Sequence, residues 1–236
     1  MKLKNALYLI PVTLGDEEPA LVLPASVFQV IGELDEFIVE NERTARRFLR
    51  KSGYTQNFDT VKFHLLNKHT LPEELAPFLD SVKNGKAVGL LSEAGVPCIA
   101  DPGAVVVQLC HQHSLRVIPL TGPSSLLLAL MASGFNGQNF AFHGYLPIQK
   151  PELRQKLREL EAGIYQKDQT QIFIETPYRN DKLIDGILSY CQPQTQLCIA
   201  ADITLDTEWI STRRIAWWRQ HQPSLHKRPA VFLLYK

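Results

Sequence analysis

The sequence has little cysteine, no excess of either charge and no long apolar run, and each shortage removes a class of protein. Its 236 residues include four cysteines, Cys98, Cys110, Cys191 and Cys198, each alone in an apolar run. With no C-x-x-C pair and no regular spacing, neither a zinc site nor a disulfide framework is expected, and no metal is predicted. The cysteines read as core thiols of a reducing cytoplasm. Twenty-five Lys and Arg face 24 Asp and Glu, a formal charge of +1, which excludes a histone-like or ribosomal-protein-like polycation. The first apolar stretch runs only from Ala6 to Val12 and contains Pro11. That is too short for a signal-peptide core or a membrane span, so no membrane partner is expected. Neither G-x-G-x-x-G nor G-x-x-x-x-G-K-S/T occurs, so a nicotinamide dehydrogenase or a P-loop nucleoside triphosphatase has little support.

What is present is an ordinary globular composition, 45% hydrophobic and 21% charged, in a chain long enough for two α/β domains. Short strand-type runs fall at 6–11, 37–40, 61–64, 87–92, 116–120, 140–143, 171–175, 197–201 and 230–235. Several are continuously apolar, as expected of parallel strands covered on both faces. Helix-compatible patterns at 104–113, 123–133 and 152–161 lie between them, which predicts an α/β chain built from βαβ crossovers. The turn-rich Gly134-Phe135-Asn136-Gly137 places a domain boundary there, giving domains 1–137 and 138–236.

Two loops carry most of the chemical signal. The first follows an apolar strand and reads Ser92-Glu93-Ala94-Gly95-Val96-Pro97-Cys98-Ile99-Ala100-Asp101-Pro102-Gly103. Ligands bind at such carboxyl edges in open α/β sheets, and a plain turn seldom needs so many small residues. Asp101 before Pro102 also has a local role as a helix cap. The second loop, Thr121-Gly122-Pro123-Ser124-Ser125, enters a helix with small hydroxyl residues that either hold a polar ligand group or cap the helix.

In this order the motifs resemble the tetrapyrrole methylase family of S-adenosylmethionine-dependent methyltransferases. Within it, the chain is most similar to the branch that 2′-O-methylates a cytidine of small-subunit ribosomal RNA. The first loop looks like that branch's S-D-A-G-T-P-x-I-x-D-P-G. Val117 to Ser125 is similar to V-V-P-L-P-G-P-S-A, Phe142 to Pro147 to F-x-G-F-L-P, and Ile172 to Arg179 to F-Y-E-S-x-H-R. The resemblance implies two α/β domains with the cofactor cleft between them, a homodimer, and S-adenosylmethionine held largely by backbone groups. By position, the cofactor residues are Pro11, Glu93, Ala94, Gly95, Val96, Ser124 and Ser125, joined by Ile174, Glu175, Ala201 and Pro229.

The matches weaken at the expected substrate loops. Pro11-Val12-Thr13-Leu14-Gly15-Asp16-Glu17-Glu18 stands for P-T-P-I-G-N-L-G-D, and Glu40-Asn41-Glu42-Arg43 for E-D-T-R. Ala200 to Leu205 loses both basic residues of A-R-E-L-T-K. A ribose hydroxyl needs a base within hydrogen-bond reach, and Glu40 and His64 are the candidates, each at a strand end. For Glu40 the alternative is a helix N-terminal carboxylate, and for His64 a hydrogen-bonded structural histidine. Arg43, Arg46, Arg47 and Arg50 share one helix face and are the candidate substrate-binding residues. Segment 211–228 holds Arg213, Arg214, Arg219, Lys227 and Arg228 with no acid, beside Trp217 and Trp218. Basic groups with aromatic faces suit single-stranded RNA, while solvated arginines and core tryptophans are the structural alternative. The expected partner is ribosomal RNA. A tetrapyrrole methylated at a ring carbon and a noncatalytic RNA-binding relative are the competing functions.

Overall fold

Alternation of apolar side chains along short strands, each covered on both faces, organises the first half of the chain. The computed structural model describes residues 3–67, 70–71 and 74–236, and the chain falls into two units, Met1–Ser124 and Ser125–Lys236. In the first unit the elements follow as β1 (Ala6–Ile10), α1 (Pro19–Val22), α2 (Ala25–Glu33), β2 (Glu36–Val39) and α3 (Glu42–Lys51). Then come β3 (Lys62–Leu65), α4 (Asp80–Lys83), β4 (Ala87–Leu91), α5 (Ala104–Gln112) and β5 (Val117–Pro119). The five strands form one parallel sheet in the order β3-β2-β4-β1-β5. Ala6, Tyr8 and Ile10 pack with Val27 and Ile31 of α2 and Leu49 of α3. Leu7, between them in sequence, packs instead with Val82 of α4 and Val106 and Cys110 of α5. Helices on both faces explain why these strands read as unbroken apolar runs.

The second unit contains α6 (Ser125–Ser133), β6 (Phe140–Tyr145), α7 (Lys150–Lys167), β7 (Thr170–Ile174) and α8 (Asn180–Tyr190). It ends with β8 (Gln196–Ala201), β9 (Trp209–Arg214), α9 (Ile215–Trp218) and β10 (Ala230–Tyr235). Its sheet runs β6-β7-β10-β8-β9, parallel only between β6 and β7. Leu153, Leu157 and Ile164 of α7 and Ile184 and Ile187 of α8 bury one face against Phe173, Phe232 and Ile199. Helix α6 lies on the other face, where the Thr212 hydroxyl donates to the Ser133 carbonyl at 2.9 Å. That packing assigns α6 to the second unit, so the division lies upstream of the glycine-rich turn at 134–137.

Strand β9 is the element that the apolar pattern missed. Its Trp-Ile-Ser-Thr-Arg-Arg sequence is polar because it forms a sheet edge, with Arg213 and Arg214 exposed. All four cysteines are free thiols, and no helix among the described residues is long and apolar enough to cross a membrane.

One buried polar group ties the first sheet to α4. The Glu36 carboxylate receives the Ser81 hydroxyl at 2.5 Å, meets His64 Nε2 at 2.6 Å and lies 3.2 Å from Lys62 Nζ. Burial pushes the Glu36 carboxyl up, but the His64, Ser81 and Lys62 bonds outweigh it and leave the group below its ordinary value. A lowered folded-state value stabilises the fold above the unfolded value, and this is lost as acid carries the group through its folded value. Glu36→Ala is therefore expected to lower unfolding free energy by about 1–3 kcal/mol at neutral pH, leaving buried partners unsatisfied. Urea unfolding from neutral pH down to pH 3 checks this: the gap between variant and parent should close toward the acid end.

Candidate active site

Two loops leaving adjacent strands are joined through their backbones. The Val12 amide donates to the Gly95 carbonyl at 2.9 Å, and the Gly95 amide donates to the Thr13 carbonyl at 3.3 Å. Gly95 has φ +70, and a Cβ there would meet Leu14 Cδ2 at 2.9 Å and the Pro123 carbonyl at 3.0 Å. Glycine tolerates both the left-handed backbone and the close approach. The next loop is drawn in as tightly: a Cβ on Gly122 would fall 2.1 Å from Cβ of Pro11. Pro11, the Glu93–Val96 loop and the segment leading to Ser124 therefore converge at the carboxyl edge of β1, β4 and β5.

The rest of the Ser92–Gly103 loop is held in an uncommon conformation. Cys98 and Ala100 have φ of 69 and 65, a left-handed backbone that costs non-glycine residues energy. Asp101 supports it, accepting from the Cys98 amide at 2.8 Å and the Gly103 amide at 2.7 Å. Asp101 thus has its local role, but it clamps the loop, whereas the residue directly preceding α5 is Gly103. Burial, then the Asp101 charge, push the Cys98 thiol up to about 11, so it is protonated at neutral pH.

A cleft of about 410 Å³ opens beside this loop, lined by Val12 to Asp16, by Thr44, Arg47 and Lys51 of α3, and by Leu91 to Glu93. The Glu93 carboxylate accepts the Thr44 hydroxyl at 2.6 Å, while the Glu93 amide donates to the Glu40 carboxylate at 3.3 Å. Glu40 does not cap α3, because Asn41 does so, accepting from the Arg43 and Thr44 amides. Burial, followed by the nearby Asp101 and Glu93 charges, raises the Glu40 carboxyl above its ordinary value despite the Glu93 amide. A carboxylate of raised proton affinity, bonded to the cleft-lining Glu93, is suited to taking up a proton.

Other expected residues divide. His64 is buried away from this group, paired with Glu36 and packed on the Phe78 ring at 4.8 Å, which is the structural alternative. Arg46 pairs with Glu42 and lies over the Phe58 and Phe63 rings. Arg50 lies over Phe58 and donates to the Tyr54 carbonyl at 2.6 Å. Arg43 and Arg47 are exposed, without an ion pair among the described residues, and only Arg47 of the four lines the cleft. Trp218 is core, donating to the Leu197 carbonyl at 3.0 Å, while Trp217 is partly exposed and stacked on His221. Sequence reading passed over Glu17 and Thr44. Glu17 receives the Leu14 amide at 3.1 Å and the Gly15 amide at 2.8 Å, shaping the shortened first loop with a side chain.

In the second unit Ile174, Glu175, Ala201 and Pro229 gather at one sheet edge. Ala201 pairs with Ala230 and Ile174 with Val231, and the Asp202 amide donates to the Pro229 carbonyl at 2.9 Å. Glu175 receives Arg179 Nη2 at 2.5 and 2.6 Å and the Thr176 amide at 2.6 Å.

The arrangement has counterparts among known proteins. No family model matches the chain. Ribosomal RNA small subunit methyltransferase I of Vibrio cholerae serotype O1 is 29% identical over 232 residues, 97% of this chain and 76% of the relative. The protein of that name from Halalkalibacterium halodurans is 31% identical over 185 residues, 78% of this chain but 60% of the relative's length. In structure, uroporphyrin-III C-methyltransferase from Thermus thermophilus complexed with S-adenosylhomocysteine superposes with a TM-score of 0.57 at 16% identity, covering 98% of this chain and 97% of that one. In fold the chain is similar to the tetrapyrrole methyltransferases, and the sequence relatives define the class as methyltransferases. The relatives it resembles in sequence are named ribosomal RNA small subunit methyltransferase I.

The contact between Gly122 and Pro11 gives a direct test of the loop geometry. Gly122→Ala should destabilise the protein by about 1–3 kcal/mol through overpacking against a rigid ring. Urea unfolding reads this as a lower midpoint, and an unchanged midpoint would mean that the loops do not approach each other so closely.

Proposed function

We propose that the protein methylates a ribose 2′-hydroxyl of small-subunit ribosomal RNA, using S-adenosylmethionine. The observation that carries this reading is one cleft flanked by groups of both signs. Glu40 and Glu93 are tied to its loop, and Arg47 lines its wall beside Lys51, which is paired with Asp16. Carboxylates favour a cationic cofactor and can accept a hydroxyl proton, while the unpaired Arg47 suits a phosphate beside the acceptor ribose.

The residues present fit the cofactor, since Gly95 lets Leu14 and the Pro123 carbonyl close on a loop that offers backbone groups, and the carboxylates oppose its positive charge. Pro11, Glu93, Ala94, Gly95, Val96 and Ser124 of the first unit would hold it; Ser125, Ile174, Glu175, Ala201 and Pro229 are further contacts that only the family resemblance implies. When bound, the cofactor supplies an electrophilic methyl group on a sulfonium. Glu40 takes the proton of the attacking hydroxyl, and the Thr44 bond keeps Glu93 oriented at the loop. Most of the acceleration comes from alignment. Arg43 and Arg47 are the cations of α3 left to meet RNA. Occupation of Arg46 and Arg50 by aromatic rings weakens the case for a polycarboxylate tetrapyrrole on this face. A cytoplasmic homodimer completes the proposal, on the strength of the family resemblance.

Calorimetric titration with S-adenosylmethionine should show binding to the parent chain and none to Gly95→Trp, whose side chain would push Leu14 and the Pro123 carbonyl out of the loop. Absence of binding to the parent at millimolar cofactor would favour the noncatalytic relative. With binding established, labelled methyl groups should pass to small ribosomal subunits from cells lacking this protein, and label on tetrapyrrole alone would contradict the RNA acceptor. Glu40→Gln should lower kcat by about 10²–10⁴-fold with cofactor affinity retained. The parent's rate should rise with pH through a value above that of an ordinary glutamate, because Glu40 must lose its proton to act.

A further inference from the structure

Helix α7 carries a second basic feature, separate from α3 and in the other unit. Lys150, Arg154 and Arg158 recur every fourth residue, so they follow one side of the helix at intervals of about 6 Å. All three are exposed, and none has an ion pair or hydrogen-bond partner for its side chain among the described residues. Lys156, on the same helix, is paired with Glu159 at 3.8 Å, and Glu159 also accepts from Gln155 at 3.1 Å. Glu159 is the one acid lining the groove of about 870 Å³ that these cations share with the half-buried Tyr190 of α8. The groove therefore keeps an uncompensated positive line along an aromatic wall.

Such a line fits a polyanion of regular spacing, since its interval is close to that between successive phosphates of a nucleic-acid strand. Its place in the fold adds direction. Strand β6 runs parallel to β7 and α7 connects them, so α7 starts at the sheet edge where β7 ends in Ile174. Lys150 is nearest that edge and Arg158 about 12 Å farther along the helix. We propose that this groove binds the phosphate backbone of the RNA acceptor beyond the methylated nucleotide. The proposal rests on the RNA reading above and adds a binding surface outside the reacting centre.

Fluorescence anisotropy with fluorescein-labelled poly(U) RNA tests it on the full chain. The charge-reversed triple variant Lys150→Glu, Arg154→Glu, Arg158→Glu is compared with the parent and with Lys150→Arg, Arg154→Lys, Arg158→Lys, which keeps the charges. The reversed variant should bind RNA at least tenfold more weakly. Its plot of log affinity against log salt should be shallower by about 2, at roughly 0.7 per lost phosphate contact. The charge-keeping variant should bind RNA like the parent, and all three proteins should bind S-adenosylhomocysteine alike. Equal RNA affinity for reversed and parent chains overturns the groove and leaves the RNA reading standing. Equal loss in both triple variants also overturns it, because charge would not be the cause. A parent with no affinity for RNA overturns both readings together.

Discussion

The pair of backbone hydrogen bonds between Gly95 and the Val12–Thr13 segment is the constraint on which the first unit's site depends. These bonds join the loops of the neighbouring strands β1 and β4, and so set the width of the cleft above the sheet. They form only if residue 95 adopts a left-handed backbone and carries no Cβ. From that one residue the rest follows in order. Glu93 is carried to the Thr44 hydroxyl, its amide reaches Glu40, and the strained Cys98–Ala100 backbone is closed by Asp101. Strain held by surrounding bonds in this way is characteristic of ligand-binding loops.

Charge then decides what the cleft suits. Near-neutrality of the whole chain conceals an uneven distribution, with the carboxylates of Glu40, Glu93 and Asp101 at the loop and cations on α3 and α7. Not every cation in a basic segment is available to a ligand. Arg46 and Arg50 are spent on phenylalanine rings, and Arg219 and Arg228 on carbonyls and Asp202. Among the described residues, Arg43, Arg47, Lys150, Arg154 and Arg158 are cations of α3 and α7 without partners, and RNA binding can draw on them. A short protein of balanced charge can thus present basic surfaces without being basic overall.

Much of this was legible in the sequence, for definite reasons. The buried strands advertised themselves because helices on both faces require unbroken apolar runs, as in Ala87 to Leu91. Strand β9 did not, since an edge strand needs no apolar outer face. The glycine and proline spacing of Ser92 to Gly103 identified the loop, because its backbone geometry is dictated by residue type. Side-chain partnerships were another matter. Nothing in the spacing of His64 could say that Glu36 waits on the neighbouring strand, nor that Glu17 would rebuild a loop lacking its usual residues. Such contacts join residues whose distance in sequence is unrelated to their distance in space. A periodicity argument could place the four arginines of α3 on one face, but not tell which two would be covered by Phe58 and Phe63.

The central claim is that the loop joined at Gly95 is the cofactor's seat. A crystal structure of the chain grown with S-adenosylhomocysteine measures this most directly. The account predicts ligand density against the Glu93–Val96 backbone, with Pro11 and Ser124 in contact and Glu40 facing the sulfur. Density elsewhere on the chain, with that loop bare in a crystal saturated with ligand, would contradict it.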